Sequence, residues 1–377
     1  MVLTTHPIQY ITPWYKELQV SLECDFKVLF LNEPLPKDQG IGFGLEFEWD
    51  LPLRSGYCND VICPKGHKLN LIHLCFKLLK YLKKEKPSIL LVTGWNHPAL
   101  IFAIFLSKIL RIKLLIRGES NDLRKRSFVK KIFHKVILSR ADGFLKIGTA
   151  NERFYLKNGI QSNQIFDGCY FVNNKSLQNS IDTHSNKILL RTSLGIDSND
   201  LVLLFVGKFV EFKQPLLLIK AAAEVKKIHK NISVLFVGSG ELEYKMNSLA
   251  EQLNISVYFT GFLNQNELWK GYLMADIFVL PSNSEETWGL VTNEAMLFGL
   301  PVLVSNQIGS AEDLVYSSKM GRVFNPNKND LTETILEFIT DPNNLEFPNL
   351  DCQNHILNYY SMQRATEGLK KAISQLL

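Results

Sequence analysis

The 377-residue chain has little of what marks secreted, metal-binding or membrane-spanning proteins. Its six cysteines, Cys24, Cys58, Cys63, Cys75, Cys169 and Cys352, form no Cys-x-x-Cys pair and no ligand spacing with histidine. Neither a zinc site nor a disulfide framework is therefore indicated, and a reducing cytoplasm fits best. The longest apolar run, Pro98 to Leu106, is well short of the ~20 residues a spanning helix needs, and it reads as a buried helix. The N-terminus, Met1 to His6, lacks the basic and long apolar regions of an export signal and reads as a short first strand. No Asp-x-Asp or clustered Asp/His set is present, so no metal is expected. Short internal repeats and low-complexity segments are also missing.

What is present describes an enzyme-sized globular protein. A hydrophobic share of 46% and a charged share of 21% suit two domains, each with its own core. The net charge of +5 is mild, and no nucleic-acid partner is expected from it. The cations are unevenly placed, however: Arg124, Lys125, Arg126, Lys130, Lys131, Lys135 and Arg140 occur with no acid among them. Such a run is either a solvated helix surface or a patch that rests on anionic lipid or an acidic acceptor.

Apolar runs of strand length alternate with helical patterns. In the first half the strands are expected at Phe26 to Leu31, Ile89 to Thr93, Lys113 to Ile116 and Gly143 to Ile147, and helices at Leu69 to Lys84, Ala99 to Leu110 and Arg124 to Leu138. A polar stretch from Phe171 to Lys187 reads as a linker. The alternation restarts with strands at Leu201 to Val206, Ser233 to Val237, Val257 to Thr260, Ile277 to Leu280 and Pro301 to Val304. Helices at Leu216 to His229, Tyr244 to Leu253 and Thr292 to Phe298 lie between them. This predicts an α/β protein of two doubly wound, Rossmann-like halves. The expected domains are residues 1–175 and 188–355, with a C-terminal helix over 356–377 packing back on the first. In such sheets ligands bind at the carboxyl ends of the strands, so two halves facing each other would line a cleft with strand-end loops.

The most informative stretch runs from Phe278 to Met296. A strand ends at Pro281, a polar turn follows, and a helix begins near Gly289 or Leu290. Backbone N–H groups at that helix start have no intrahelical partners and can meet an anion. Gly289 permits close backbone approach. Glu286 lies in the loop and Glu294 in the first turns of the helix, far enough apart to reach different parts of one elongated ligand. Either glutamate alone could simply favour a helix N-terminus. Together with the loop and the turn Gly299-Leu300-Pro301-Val302, they point to a ligand site.

The pattern Pro281-Ser-x-x-Glu-Glu286-Thr-Trp-Gly-Leu-Val-x-x-Glu294-Ala-Met-x-x-Gly-x-Pro-Val302 resembles the signature of glycosyltransferase family 4, the retaining transferases of the GT-B fold. The resemblance implies that Glu294 holds ribose hydroxyls of a donor nucleotide and that Glu286 contacts hydroxyls of the transferred sugar. The amides of Thr287, Trp288, Gly289 and Leu290 would face the sugar and phosphates. Gly207, Lys208 and Lys213 follow a buried strand where the family usually has arginine then lysine on the donor diphosphate. A lysine at 208 offers a point charge in place of a bidentate fork. Gly261 and Phe262 are similar to the family's base-binding strand end. The Gly238-Ser-Gly240 turn lacks the third glycine of a dinucleotide fingerprint and reads as a strand-end turn.

In the first half, His6-Pro-Ile-Gln9-Tyr10 resembles the opening of one subgroup, in place of the glycine pair found in many members. His97 follows a strand where members often place a histidine on the transferred sugar. Arg117, Glu119 and Asn151 end two further strands and mark acceptor recognition, although Arg117 and Glu119 would equally make a structural ion pair. The family implies a nucleotide-diphosphate sugar as co-substrate with no metal, and a glycan or lipid-linked acceptor in cell-surface polysaccharide or lipopolysaccharide assembly. On its second reading, the basic run beginning at Arg124 offers peripheral contact with the anionic inner face of the plasma membrane. A sugar-nucleotide epimerase of the same fold and a non-catalytic two-domain sugar-binding protein are the alternatives.

Overall fold

A computed structural model describes residues 1–173, 187–328, 330–345 and 347–377. Most of the expected linker, residues 174–186, lies outside the described residues. The chain divides into two compact units. Unit 1 comprises Met1–Gln39, Leu51–Phe171 and Ser361–Leu377, and unit 2 comprises Gly40–Asp50 and Val172–Tyr360.

Unit 1 runs β1 (Val2–Thr4), α1 (Thr12–Ser21), β2 (Val28–Asn32), α2 (Pro36–Gln39), β3 (Asn59–Cys63), α3 (Leu71–Glu85), β4 (Ile89–Val92), α4 (Pro98–Ile109), β5 (Lys113–Ile116), α5 (Phe128–Leu138), β6 (Gly143–Lys146), α6 (Thr149–Lys157) and β7 (Ile165–Asp167). Its seven strands form one parallel sheet in the order β3-β2-β1-β4-β5-β6-β7. The strand order reverses between β1 and β4, which opens a crevice at their carboxyl ends.

Local chemistry sets the element ends. Asn70 caps α3 by accepting from the His73 amide at 2.9 Å, and Lys86 closes the helix in the left-handed region. Ser127 caps α5, so the helix begins at Phe128 and not at Arg124 as the periodicity predicts. Arg126 lies before the helix, donating to the carbonyls of Asn121 and Arg124 and lying over the Phe154 ring.

Unit 2 runs α7 (Lys187–Leu194), β8 (Leu201–Val206), α8 (Pro215–Lys226), β9 (Ile232–Val237), α9 (Glu243–Gln252), β10 (Ser256–Gly261), α10 (Trp269–Met274), β11 (Ile277–Leu280), α11 (Leu290–Leu297), β12 (Val302–Ser305), α12 (Ala311–Leu314), β13 (Gly321–Phe324), α13 (Asp330–Ile339) and α14 (Leu350–Tyr359). Six parallel strands take the order β10-β9-β8-β11-β12-β13. Every residue of β8, β9 and β11 is buried, as expected of central strands with helices on both faces. The reversal of order falls between β8 and β11.

The last helix, α15 (Met362–Leu376), belongs to unit 1. Trp14 on α1 donates to Thr366 at 2.9 Å, and Arg364 pairs with Asp167 at 2.6 Å. Gly368 lets the helix press on β7, because a Cβ there would lie 1.6 Å from the Asp167 carbonyl oxygen. Among the described residues no helix is long and apolar enough to cross a membrane.

Candidate functional site

The crevice of unit 2 is built by two strand-end loops on either side of the order reversal. After β8 the chain turns at Gly207 and carries Lys208 and Lys213. After β11 it carries Glu286 and enters α11 at Gly289. The Asn283 amide donates to the Phe212 carbonyl at 2.8 Å and ties the two loops together. Across this seam Lys213 Nζ meets Glu286 Oε2 at 2.5 Å, with both side chains mostly enclosed. Ser282 Oγ also donates to Glu286 Oε2, at 3.4 Å. Gly207 lies beneath the lysine, for a Cβ on it would sit 3.5 Å from Lys213 Nζ.

Lys208 is half-buried, and its Nζ donates to the Ile41 carbonyl at 2.5 Å. Burial, and then the neighbouring charge of Lys213, push its pKa below the usual lysine value. Two cations against the single carboxylate of Glu286 leave one positive charge in excess, on a partly desolvated Lys208, and so form a place where an anion is favoured.

The loops after β8 and β9 lie edge to edge. Gly207 N donates to Val237 O, Phe209 N to Ser239 O, and Leu242 N to Phe209 O. The approach is close enough that a Cβ on Gly238 would stand 2.0 Å from the Gly207 carbonyl oxygen. The Gly238-Ser-Gly240 turn therefore serves backbone packing that holds Lys208 in place.

Gly289 adopts φ +89° at the N-cap of α11, and Leu290 is the first helical residue. Trp288 is 2% exposed, donates to Asn293 Oδ1 at 2.8 Å and stacks obliquely on Tyr360. Its ring is thus part of the core, and its carbonyl accepts from Ser310 Oγ at 2.6 Å, which fixes the backbone just before the helix start. Thr287 is half-buried in the preceding turn. Glu294 is fully enclosed, and its Oε2 accepts from the Tyr272 hydroxyl at 2.6 Å. Sequence reasoning missed Tyr272, which looks like one more apolar residue of α10.

Gly261 ends β10 at φ +71°, beside a register shift between Phe259 and Gly261. Its carbonyl accepts from the Gly238 amide, and Phe262 follows as an aromatic wall. Thus Gly207, Lys208, Lys213, Glu286 and Gly289 converge, Gly261 joins them through Gly238, and Glu294 lies on α11 against Tyr272.

In unit 1 the residues singled out fall on strand ends, most of them already engaged. His6 Nδ1 lies 2.9 Å from Thr5 Oγ1, and burial lowers its pKa. Gln9 is half-buried in the loop after β1. His97 caps α4, its Nδ1 accepting from the Ala99 amide at 3.1 Å, and burial lowers its pKa too. Arg117 is buried, donates to the carbonyls of Gly168 and Cys169, and is flanked by the rings of Trp14, Tyr170 and Phe171. Exposed Glu119 accepts from the Tyr170 hydroxyl. Asn151 is buried and joins two loops, accepting from Ile147 N and donating to the carbonyls of Gly118 and Ser120. Arg117 and Asn151 shape these loops from behind. Among the described residues no group of three or more His, Cys, Asp or Glu side chains could hold a metal ion.

Residues 186–349, which contain the whole β8 to α11 crevice, match the family model of glycosyl transferases group 1. Over 128 residues the chain is 37% identical to an uncharacterized glycosyltransferase of Methanocaldococcus jannaschii, covering 33% of this chain and 32% of that protein. Over 132 residues it is 29% identical to the lipopolysaccharide 1,2-N-acetylglucosaminetransferase of Salmonella typhimurium, covering 33% and 35%. The chain spans a third to a half of the length of the curated relatives it matches. Among solved structures, Anabaena HepE in complex with UDP and glucose superposes with a TM-score of 0.72 at 15% identity, covering 99% of each chain. The two parallel-sheet units are those of the GT-B fold.

Proposed function

We propose, from the match of residues 186–349 to the group 1 glycosyl transferases, that this protein is a retaining glycosyltransferase. It moves a sugar from a nucleotide-diphosphate sugar to a glycan or lipid-linked acceptor of the cell surface. The observation that carries this reading is the pair Lys208 and Lys213, brought to the order reversal of unit 2 and tied to the loop of Glu286 and the start of α11. Support for the donor class comes from HepE, whose structure holds UDP and glucose, and for the acceptor class from the Salmonella enzyme acting on lipopolysaccharide.

Cleaving the bond between an anomeric carbon and a diphosphate leaves positive charge on the sugar and negative charge on the leaving group. Lys208, Lys213 and the amides of residues 287–290 stabilise the diphosphate, an electrostatic contribution that is commonly the largest in catalysis. No metal is assigned a role. Glu294 takes the ribose, Gly261 and Phe262 the base, and Glu286 and His97 the sugar. For Glu286 to reach the sugar, its pairing with Lys213 must open as the diphosphate arrives. The acceptor hydroxyl attacks from the face the leaving group departs and passes its proton to the departing diphosphate oxygen, so no protein nucleophile takes part. His6, Gln9 and Glu119 offer polar groups to the acceptor.

The same reading assigns α5 to an anionic membrane surface, at the cytoplasmic side. Phe128, Val129, Ile132, Phe133 and Val136 share one exposed side of the helix, Phe128 being 76% exposed, while His134, Ile137 and Leu138 are buried on the other. A groove beside it is lined by Arg124, Lys125, Arg126, Lys131, Lys135 and Lys157. Apolar side chains flanked by cations suit insertion among anionic headgroups.

The test is a thermal-stability panel with UDP, GDP and ADP. A diphosphate that binds should stabilise by ~2.7 kcal/mol at a hundredfold excess over its Kd, and the matching sugar nucleotide should then be turned over only with acceptor. No shift with any of the three would remove the reading, and donor consumption without acceptor would favour the epimerase.

A further inference from the structure

The segment Gly40–Asp50 follows α2 in sequence, yet by its contacts it belongs to unit 2. Its sequence alternates, with Phe43, Leu45, Phe47 and Trp49 at odd positions and Gly44, Glu46, Glu48 and Asp50 at even ones. Exposure alternates in step, the odd residues being half-buried and the even ones exposed. The segment is not a strand: residues 40–44 form a turn closed by the Phe43 amide donating to Gly40 O at 2.9 Å, with Gly42 and Gly44 at positive φ, and residues 45–49 run on irregularly with their apolar side chains on the covered face.

That face lies on residues assigned above to the donor. The Ile41 carbonyl accepts from Lys208 Nζ, and the Phe43 ring lies 5.0 Å from the same ammonium. The Phe43 carbonyl accepts from Ser239 Oγ at 2.8 Å. Phe43 meets the Phe262 ring edge-on at 4.9 Å, and Phe47 packs on it at 4.2 Å. Trp49 reaches the same ring at 6.1 Å. Asn264 then anchors the end of the segment, donating to Glu48 O at 2.9 Å, while the Asn266 amide donates to Asp50 Oδ2 at 3.0 Å.

One short stretch therefore engages both the cation assigned to the diphosphate and the aromatic wall assigned to the base. It does so with carbonyl oxygens and rings, the group types a nucleotide would bring, and it carries three acids and no cation. Gly42, at φ +83°, lies against the Lys208 side chain, where a Cβ would fall 2.8 Å from Lys208 Cδ.

We propose that Gly40–Asp50 is a built-in competitor for the donor site: a strap that occupies the diphosphate and base positions of unit 2 until a nucleoside diphosphate displaces it. The proposal rests on the donor reading above and adds its regulation. Apparent affinity falls by the fraction of molecules with the strap displaced, so a strap seated nine-tenths of the time weakens binding about tenfold.

The test compares the full-length chain with the double variant F43A/F47A and with a second variant whose residues 41–49 are replaced by glycine and serine, which serves if the first does not fold. UDP, GDP and ADP are titrated by calorimetry, and chymotrypsin cleavage after Phe43, Phe47 and Trp49 is followed by mass spectrometry. The expected result is binding about tenfold tighter in either variant, and faster cleavage of the wild-type segment when the diphosphate is bound. Equal or weaker binding in both variants, or protection of the segment by the diphosphate, would overturn the strap while leaving the donor reading intact. Failure of wild type and variants alike to bind any of the three diphosphates would overturn both.

Discussion

Lys213 and Glu294 are the residues on which the proposed chemistry concentrates, and they are bound in different ways. Lys213 forms an enclosed ion pair with Glu286, whereas Glu294 accepts from Tyr272 at the base of α11. Lys213→Ala removes a donor to the leaving group and is expected to lower turnover by about 100-fold or more, as measured by nucleotide release. Glu294→Ala is expected to raise the Kd for the donor in calorimetry. Wild-type behaviour of both variants would remove the assignment. Because Lys213 and Glu286 touch, K213A and E286Q should combine with less than additive effect on turnover.

His134 gives an independent check at the same scale. It faces inward from α5 among Trp95 and Phe154, and burial, Arg126 and Lys130 push its pKa down to about 4. The folded state thus resists a proton that the unfolded chain accepts near its ordinary value of ~6.5. Stability from this group is full above ~6.5 and lost as pH falls towards 4. His134→Gln should therefore flatten the fall in thermal midpoint between pH 6.5 and 4. An unchanged slope would show that His134 does not titrate as described.

At the scale of elements, the loop proposed to meet the donor depends on backbone that only glycine supplies. Gly289 combines φ +89° with a Leu280 methyl 2.6 Å from where a Cβ would be. Gly289→Ala should cost ~1–3 kcal/mol in denaturant unfolding and weaken donor binding, since the same residue aims the first amides of α11. On α5, reversing Lys131 and Lys135 to glutamate should reduce partition onto phosphatidylglycerol-containing vesicles by at least ~10-fold, at ~1 kcal/mol per basic residue near the surface, without changing partition onto neutral ones. Most interior strands were legible because they are continuous apolar runs, and Leu201–Val206 and Ile277–Leu280 lie where the sequence places them. The pattern missed β3, β7 and β13, all at sheet edges. Such strands are short and carry polar residues, Asn59 and Asp60 in β3 and Arg322 in β13, because they are covered less than the central ones.

For the whole molecule, charge on the leaving group is assigned to lysines and amides, so treatment with EDTA should leave turnover unchanged with the donor identified by the nucleotide panel. A loss restored by Mg²⁺ or Mn²⁺ would show that the two lysines do not suffice. The alternation of apolar strands and periodic helices by itself determined two doubly wound halves, and the Glu286 to Glu294 spacing marked one loop as the place to look. Both signals are local, since a buried parallel strand and a helix start are written in consecutive residues. The pairing of Lys213 with Glu286, the capping use of His97 and the seating of Gly40–Asp50 against Lys208 were decided only by tertiary structure. The Lys213 and Lys208 contacts join residues far apart in the chain, and no period or spacing in a sequence records which strand-end loops will meet; the His97 cap is local, reaching only Ala99, but a side chain that serves equally as cap or ligand shows its use only in the folded backbone.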